Sequence, residues 1–207
     1  PALNSVQELN LESVYFGFDV TPETITINGT LLNQKLQSKW LTLFEGLEPQ
    51  TQSLQAIIPV QSTRVKTFNY TDFEQLTRNI DSAGYSSKTT PLAKAFFSTT
   101  KEIGAFETSA GTGIALKSID ISATYEALSG FQNELSSFRS VPVFEFTEPS
   151  IFKDCFAPFL GSENATKYSV LDDYLVFSDA DDVLQLVISN YLNKNTLEAS
   201  FNYEAIQ

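Results

Sequence analysis

Histidine and methionine are absent from the 207 residues, and cysteine occurs once, at Cys155. Without histidine the chain can form no Ser-His-Asp triad, no Cys-His dyad and no His-ligated zinc site. A single cysteine excludes an internal disulfide and any cysteine-held zinc or iron–sulfur cluster. Basic residues are few: 13 Lys and Arg stand against 25 Asp and Glu, a formal net charge of −12. They are scattered and form no basic stripe, so neither nucleic acid nor an anionic membrane surface is an expected partner. No apolar run approaches the roughly 20 residues that would span a bilayer.

What is present describes a scaffold. Apolar residues make up 42% of the chain and charged residues 18%, the balance of a globular protein, and 17 Phe with 8 Tyr give it an aromatic core. Residues 13–20 (SVYFGFDV) and 25–31 read as a hairpin around Thr21-Pro22-Glu23. Leu36, Trp40, Leu43, Phe44 and Leu47 then fall on one helical stripe that ends at Pro49. Strands are expected at 54–59 (LQAIIP) and 64–70 (RVKTFNY), followed by a helix opened by a capping box of Thr71 and Glu74 and closed at Gly84. Residues 86–90 (SSKTT) read as a flexible connection to a short helix starting at Pro91.

The pattern continues with strands at 102–108 and 113–119 around Ala110-Gly111-Thr112, and a helix from Ser122 towards Leu135 broken near Gly130. A strand at 141–146 precedes a helix opening around Thr147 and Pro149, with Phe152, Cys155, Phe156 and Phe159 on its buried face and Gly161 at its end. Strands at 168–171 and 174–177 flank Asp172-Asp173. Ser178 reads as the N-cap of a helix carrying Leu184, Val187, Ile188 and Tyr191, and a last strand is expected at 196–203. Four ββα units and one βα unit imply an α+β domain over residues 1–207, with antiparallel sheet and helices on one face. Two similar halves meeting near residues 85–100 are an alternative organisation.

Each motif that suggests chemistry has a structural explanation. The acidic run Asp179-Ala180-Asp181-Asp182 enters a helix and lacks the glycine and bidentate Glu of a calcium loop, so it reads as helix-dipole complement. Gly111-Thr112-Gly113 joins two strands and has no Walker ending, so it reads as a turn. Paired carboxylates, the chemistry of a glycosidase, stay open in principle; Glu8, Glu12, Asp19 and Asp172-Asp173 look like solvated charge. Trp40 and Cys155 read as core, the latter as a small hydrophobe and not a reactive thiol. Asn28, Asn69 and Asn164 match the N-glycosylation acceptor by composition. No catalytic, cofactor-binding, metal-binding or ligand-binding residue can be named, and no cofactor is expected.

The opening SVYFGFDVTPETITINGTL, the QAIIP segment and the closing YSVLDDYLVFSDADDVLQLVISNYL with LEASFNYE resemble a flavobacterial-type family of envelope-protein domains of unknown function. The resemblance implies a bacterial, exported or lipid-anchored protein of which this chain is one piece. It also implies a non-catalytic binding or scaffolding role towards a protein or an envelope glycan. A carboxylate-based hydrolase of envelope polysaccharide is the alternative. Oligomeric state is not legible.

Overall fold

The structure is a computed structural model that describes residues 13–21, 25–32, 42–161 and 165–199. It is an α+β fold. Strands β1 (Ser13–Val20) and β2 (Ile25–Leu32) form a two-stranded antiparallel hairpin in which Val20 faces Ile25. The other strands build one seven-stranded antiparallel sheet: β3 (Arg64–Asn69), β4 (Thr100–Thr108), β5 (Gly111–Ser118), β6 (Glu134–Phe138), β7 (Val141–Glu145), β8 (Lys167–Leu171) and β9 (Tyr174–Ser178), in the spatial order β3-β4-β5-β9-β8-β7-β6. The described helices are α1 (Phe73–Ser82), α2 (Pro91–Phe97), α3 (Ile121–Ala127), α4 (Ile151–Phe156) and α5 (Asp181–Leu192).

Strand side chains alternate between the two faces of a sheet, and here both faces are covered. Ile103, Ala105, Ile114, Leu116, Leu175 and Phe177 point into an aromatic core with Phe73, Phe96, Phe97, Phe152 and Phe156 from α1, α2 and α4. Phe106, Ala115 and Val176 point the other way, into an aliphatic core with Leu54, Ile57, Ile58 and the α5 residues Val183, Leu184, Val187 and Ile188. The expectation of helices on one face is therefore corrected: α5 covers the face opposite α1, α2 and α4. Strands buried on both sides have no polar face to reveal which side a helix takes. β3 and β4, which come from either side of residues 85–100, pair directly with each other.

Several boundaries also move. Residues 54–59 are not a strand: Leu54–Ala56 is a 3₁₀ turn, and only Pro59 makes an isolated antiparallel bridge, to Thr196. Leu54, Ile57 and Ile58, all fully buried, stand at i, i+3 and i+4, a helical-turn spacing. The N-cap of α1 is Asp72, not Thr71, its carboxylate accepting from Gln75 N–H at 2.9 Å. Glu74 pairs instead with Lys94 at 3.5 Å. Gly84, at φ +83°, closes α1 as expected, with Gly84 N–H on the Asp81 carbonyl and Tyr85 N–H on that of Ile80. Residues 86–90 are held by Ser87 N–H on Asp81, Lys88 N–H on the Asp154 carbonyl, and Thr90 as the N-cap of α2.

The helix expected to run to Leu135 stops at Ala127, and Ser129–Phe131 forms a 3₁₀ turn around Gly130. The chain then re-enters the sheet as β6, which the sequence reading missed. α4 ends at Phe156 and not near Gly161, because the residue before a proline, here Ala157, is disfavoured in helix. Ser178 is not a helix cap. Its hydroxyl donates to the Thr112 carbonyl and accepts from Ala180 N–H, and α5 starts one residue after Ala180. Thr196 is bridged and Leu197–Ala199 is a 3₁₀ turn, so the last strand is not formed there; residues 200–203 lie outside the described residues, as do Leu36 and Trp40.

Candidate functional site

The motifs singled out in the sequence serve the fold. Gly111 takes φ +135° after the Ser109-Ala110 turn, and a Cβ on Gly113 would sit 2.3 Å from the Phe106 ring. Asp181 pairs with Lys167 at 2.8 Å. Cys155 is fully buried, and burial pushes its thiol up to about 12, so it carries no reactive thiolate at neutral pH. Asn69, one of the three glycosylation matches, donates its carboxamide to the Gln50 carbonyl at 2.8 Å. Asn164, Glu8 and Glu12 lie outside the described residues, as do the side chains of Asn28 and Asp19. Among the described residues, no group of three or more Cys, Asp or Glu could hold a metal ion.

The acids of the β8–β9 turn are engaged. Asp173 pairs with Lys117 at 3.1 Å, and Asp172 accepts the Tyr191 hydroxyl. Burial first, and then the neighbouring Asp172, drive the Tyr191 phenol well above its usual range. Asp172 and Tyr191 border an open cavity of about 690 Å³ with Tyr174, Lys194, Thr196 and Glu198.

Register assembles a polar row that no local motif announces. Asn69 faces Glu102, Glu102 faces Lys117, and Lys117 faces Tyr174, across β3, β4, β5 and β9. The segment from Gln50 to Leu54 crosses over this row and is tied to it. Glu102 Oε2 accepts from both Ser53 N–H and Ser53 Oγ–H at 2.8 Å, Asn69 holds the Gln50 carbonyl, and Tyr174 donates to the Ser53 carbonyl at 3.3 Å. Lys117 Nζ lies 4.1 Å from the Tyr174 ring centre, a cation–π contact. Glu102 is fully buried. Burial raises its carboxyl above the usual carboxylate range, against the opposing pull of the Ser53 hydrogen bonds and the Lys101 charge. Its Oε1 and the Asn69 Oδ1 are both without a hydrogen-bond partner among the described residues. A protonated Glu102 has a hydrogen to give, and the Asn69 oxygen on the facing residue is the free acceptor.

Beside this row lies the β3 edge of the sheet. Among the described residues β3 pairs with β4 alone. Tyr70 N–H bonds to the Lys101 carbonyl, which sets the phase: residues 64, 66 and 68 bond inward to β4. Val65, Thr67 and Asn69 therefore direct their backbone N–H and C=O groups outward. Along that edge runs a groove in two connected parts. One, of about 540 Å³, is lined by Phe44, Val65, Lys66, Thr67, Phe68 and the Pro158-Phe159-Leu160 segment. The other, of about 400 Å³, shares Phe44, Thr67 and Phe68 and continues past Pro49 to Asn69. Phe68 stacks on Phe159 at 4.3 Å, and Phe44 meets Phe159 at 5.4 Å. Lys66 is exposed at the rim and has no ion pair among the described residues.

Apart from Asn69, a glycosylation match, none of the groove residues was singled out as a site from sequence. They come from three distant segments, and only the fold brings them together. Glu102 carried no distinguishing local signal, since its strand (TKEIGAFET) holds a second acid, Glu107. No protein-family model, no curated protein and no solved structure matches the chain. The resemblance to flavobacterial-type envelope domains accordingly gains no support from comparison.

Proposed function

We propose that the chain is a non-catalytic binding module of the bacterial cell envelope, located outside the cytoplasm, and that its contact surface is the groove along β3. The observation that carries this reading is the open edge itself: three outward-facing backbone pairs beside a groove floored by Phe44, Phe68 and Phe159. Exposed strand edges are ordinarily blunted, and one bordered by apolar surface marks an interaction site. The envelope location rests on the sequence resemblance. The succession of hairpin then helix (β4-β5-α3, β6-β7-α4, β8-β9-α5) is part of the same proposal, read as architectural repetition that carries no chemistry of its own.

The test compares retention of the wild-type chain and a Thr67→Pro variant on washed bacterial envelope fractions. Proline at Thr67 removes an outward N–H without removing a β3–β4 bond. Wild type should be retained and the variant released. Equal retention of both would remove the groove from the account. The hydrolase alternative has one observation in its favour, since Asp172 and Glu198 border the same cavity. Turnover of envelope polysaccharide that Asp172→Asn or Glu198→Gln abolishes would replace the binding reading.

A further inference from the structure

We propose that the β3 edge receives an extended, carboxylate-bearing peptide segment of a partner protein, which adds to the sheet as an eighth strand; this rests on the groove being the contact surface. Three features define the occupant. Val65, Thr67 and Asn69 present backbone pairs at every second residue, a repeat of about 6.6 Å that an extended polypeptide matches with its own alternating N–H and C=O groups. A glycan has no such repeat of paired donors and acceptors. On one face of the edge, Phe68 with Phe159 and Phe44 offers a seat for an apolar side chain.

The third feature is charge. On that same face, two residues along, stands Lys66, with Arg64 beyond it bound to Glu107 at 3.2 Å. Residues that bond inward to β4 form the closer, non-hydrogen-bonded pairs with an incoming strand. An acid opposite Lys66 and an apolar residue opposite Phe68 are thus the favoured pairing. A second copy of this chain fits less well: antiparallel β3–β3 pairing centred on Lys66 sets Lys66 against Lys66, on two bodies that each carry −12.

The probe is a labelled peptide, acetyl-Thr-Phe-Thr-Glu-Thr-Val-Thr-amide, titrated with the whole chain and followed by fluorescence anisotropy. Two N-methylated isomers accompany it, one methylated at the Phe, Glu and Val amides and the other at the three Thr amides that follow them. Strand addition predicts that one isomer loses about tenfold or more in affinity and the other stays within about threefold, because only one phase of amides bonds to β3. Thr67→Pro should cost about tenfold as well. Lys66→Glu should weaken the Glu peptide and favour its Glu-to-Lys counterpart.

Equal losses for the two isomers, or no saturable binding at all, would overturn the proposal; these outcomes need no protein variant. Displacement of the peptide by soluble peptidoglycan saccharides that themselves require an intact Thr67 would assign the edge to a glycan and overturn it. Self-association on size-exclusion chromatography that Thr67→Pro abolishes would assign it to a second copy and do the same. Envelope retention that depends on Thr67 without peptide binding leaves the groove reading standing and removes only the peptide. Retention that ignores Thr67 removes both.

Discussion

The seven-stranded sheet has two edges, and they are built differently. β6 has five residues, of which Glu134, Leu135, Ser136 and Ser137 are exposed, and its register with β7 shifts between Glu134 and Ser136. It ends in a two-residue turn, Arg139-Ser140, with both residues at positive φ. A short strand with an irregular register and an acid at its start is a poor template for another strand. β3 keeps an unshifted register with β4 over six residues and lies beside an aromatic groove. Nearly the same number of residues yields one guarded edge and one open edge, and the difference lies in what stands next to the strand. Phe44 and Phe159 reach the β3 edge from outside the sheet.

The largest expected effect removes the support of the open edge. Phe156 is fully buried and contacts Phe68, Tyr70, Phe73 and Phe97 with ring centroids 4.6–5.8 Å apart. Phe156→Ala should cost about 3–5 kcal/mol in chemical denaturation, since it opens a cavity that rigid aromatic neighbours cannot fill. A cost below about 1 kcal/mol would show that the aromatic core does not hold β3 in place.

A narrower change separates β3 from the sheet and leaves β6 alone. A Cβ on Gly104 would lie 2.7 Å from the Lys66 carbonyl oxygen and 2.7 Å from Thr67 Cγ2. Backbone cannot yield at that distance without displacing the strand, so Gly104→Ala should destabilise by about 1–3 kcal/mol. Amide exchange should accelerate along β3 and stay unchanged along β6. Uniform acceleration of both edges would contradict the local character of the contact.

Comparable in size, and dependent on pH, is the effect of the polar row behind the edge. The folded Glu102 carboxyl titrates above its unfolded value of about 4.3. Its contribution to stability is therefore fully present below that value and lost as pH rises through the folded one. Glu102→Gln keeps an acceptor for Ser53 and adds a donor towards Asn69, so it should match wild type near pH 4 and exceed it at pH 7. Glu102→Ala leaves the Ser53 N–H unpaired and should lose about 1–3 kcal/mol at both. A Gln variant less stable than wild type at pH 7 would mean that the ionised carboxylate is what holds the Gln50 to Leu54 crossing.

Local signals account for the parts of this fold that were legible in the sequence. The hairpins of β1-β2, β4-β5 and β8-β9, the Pro91 helix start and the Gly84 helix end all rest on turn and cap residues that act within a few positions. β6 escaped because ELSSF has no apolar alternation and its turn uses Arg139 and Ser140 where glycine or asparagine is the usual marker. The side taken by α5 was illegible because β4, β5 and β9 are buried on both faces. The groove and the polar row depend on register between residues 33 to 57 apart, as for Asn69 with Glu102 and Lys117 with Tyr174, which no single-sequence periodicity encodes.

Hydrogen exchange at single-residue resolution, on the chain saturated with the Thr-Phe-Thr-Glu-Thr-Val-Thr peptide, tests the open edge most directly. Strand addition predicts new protection at the Val65, Thr67 and Asn69 amides, with none at Ser137 on β6. Protection that skips those three amides, or that appears equally at Ser137, would contradict it.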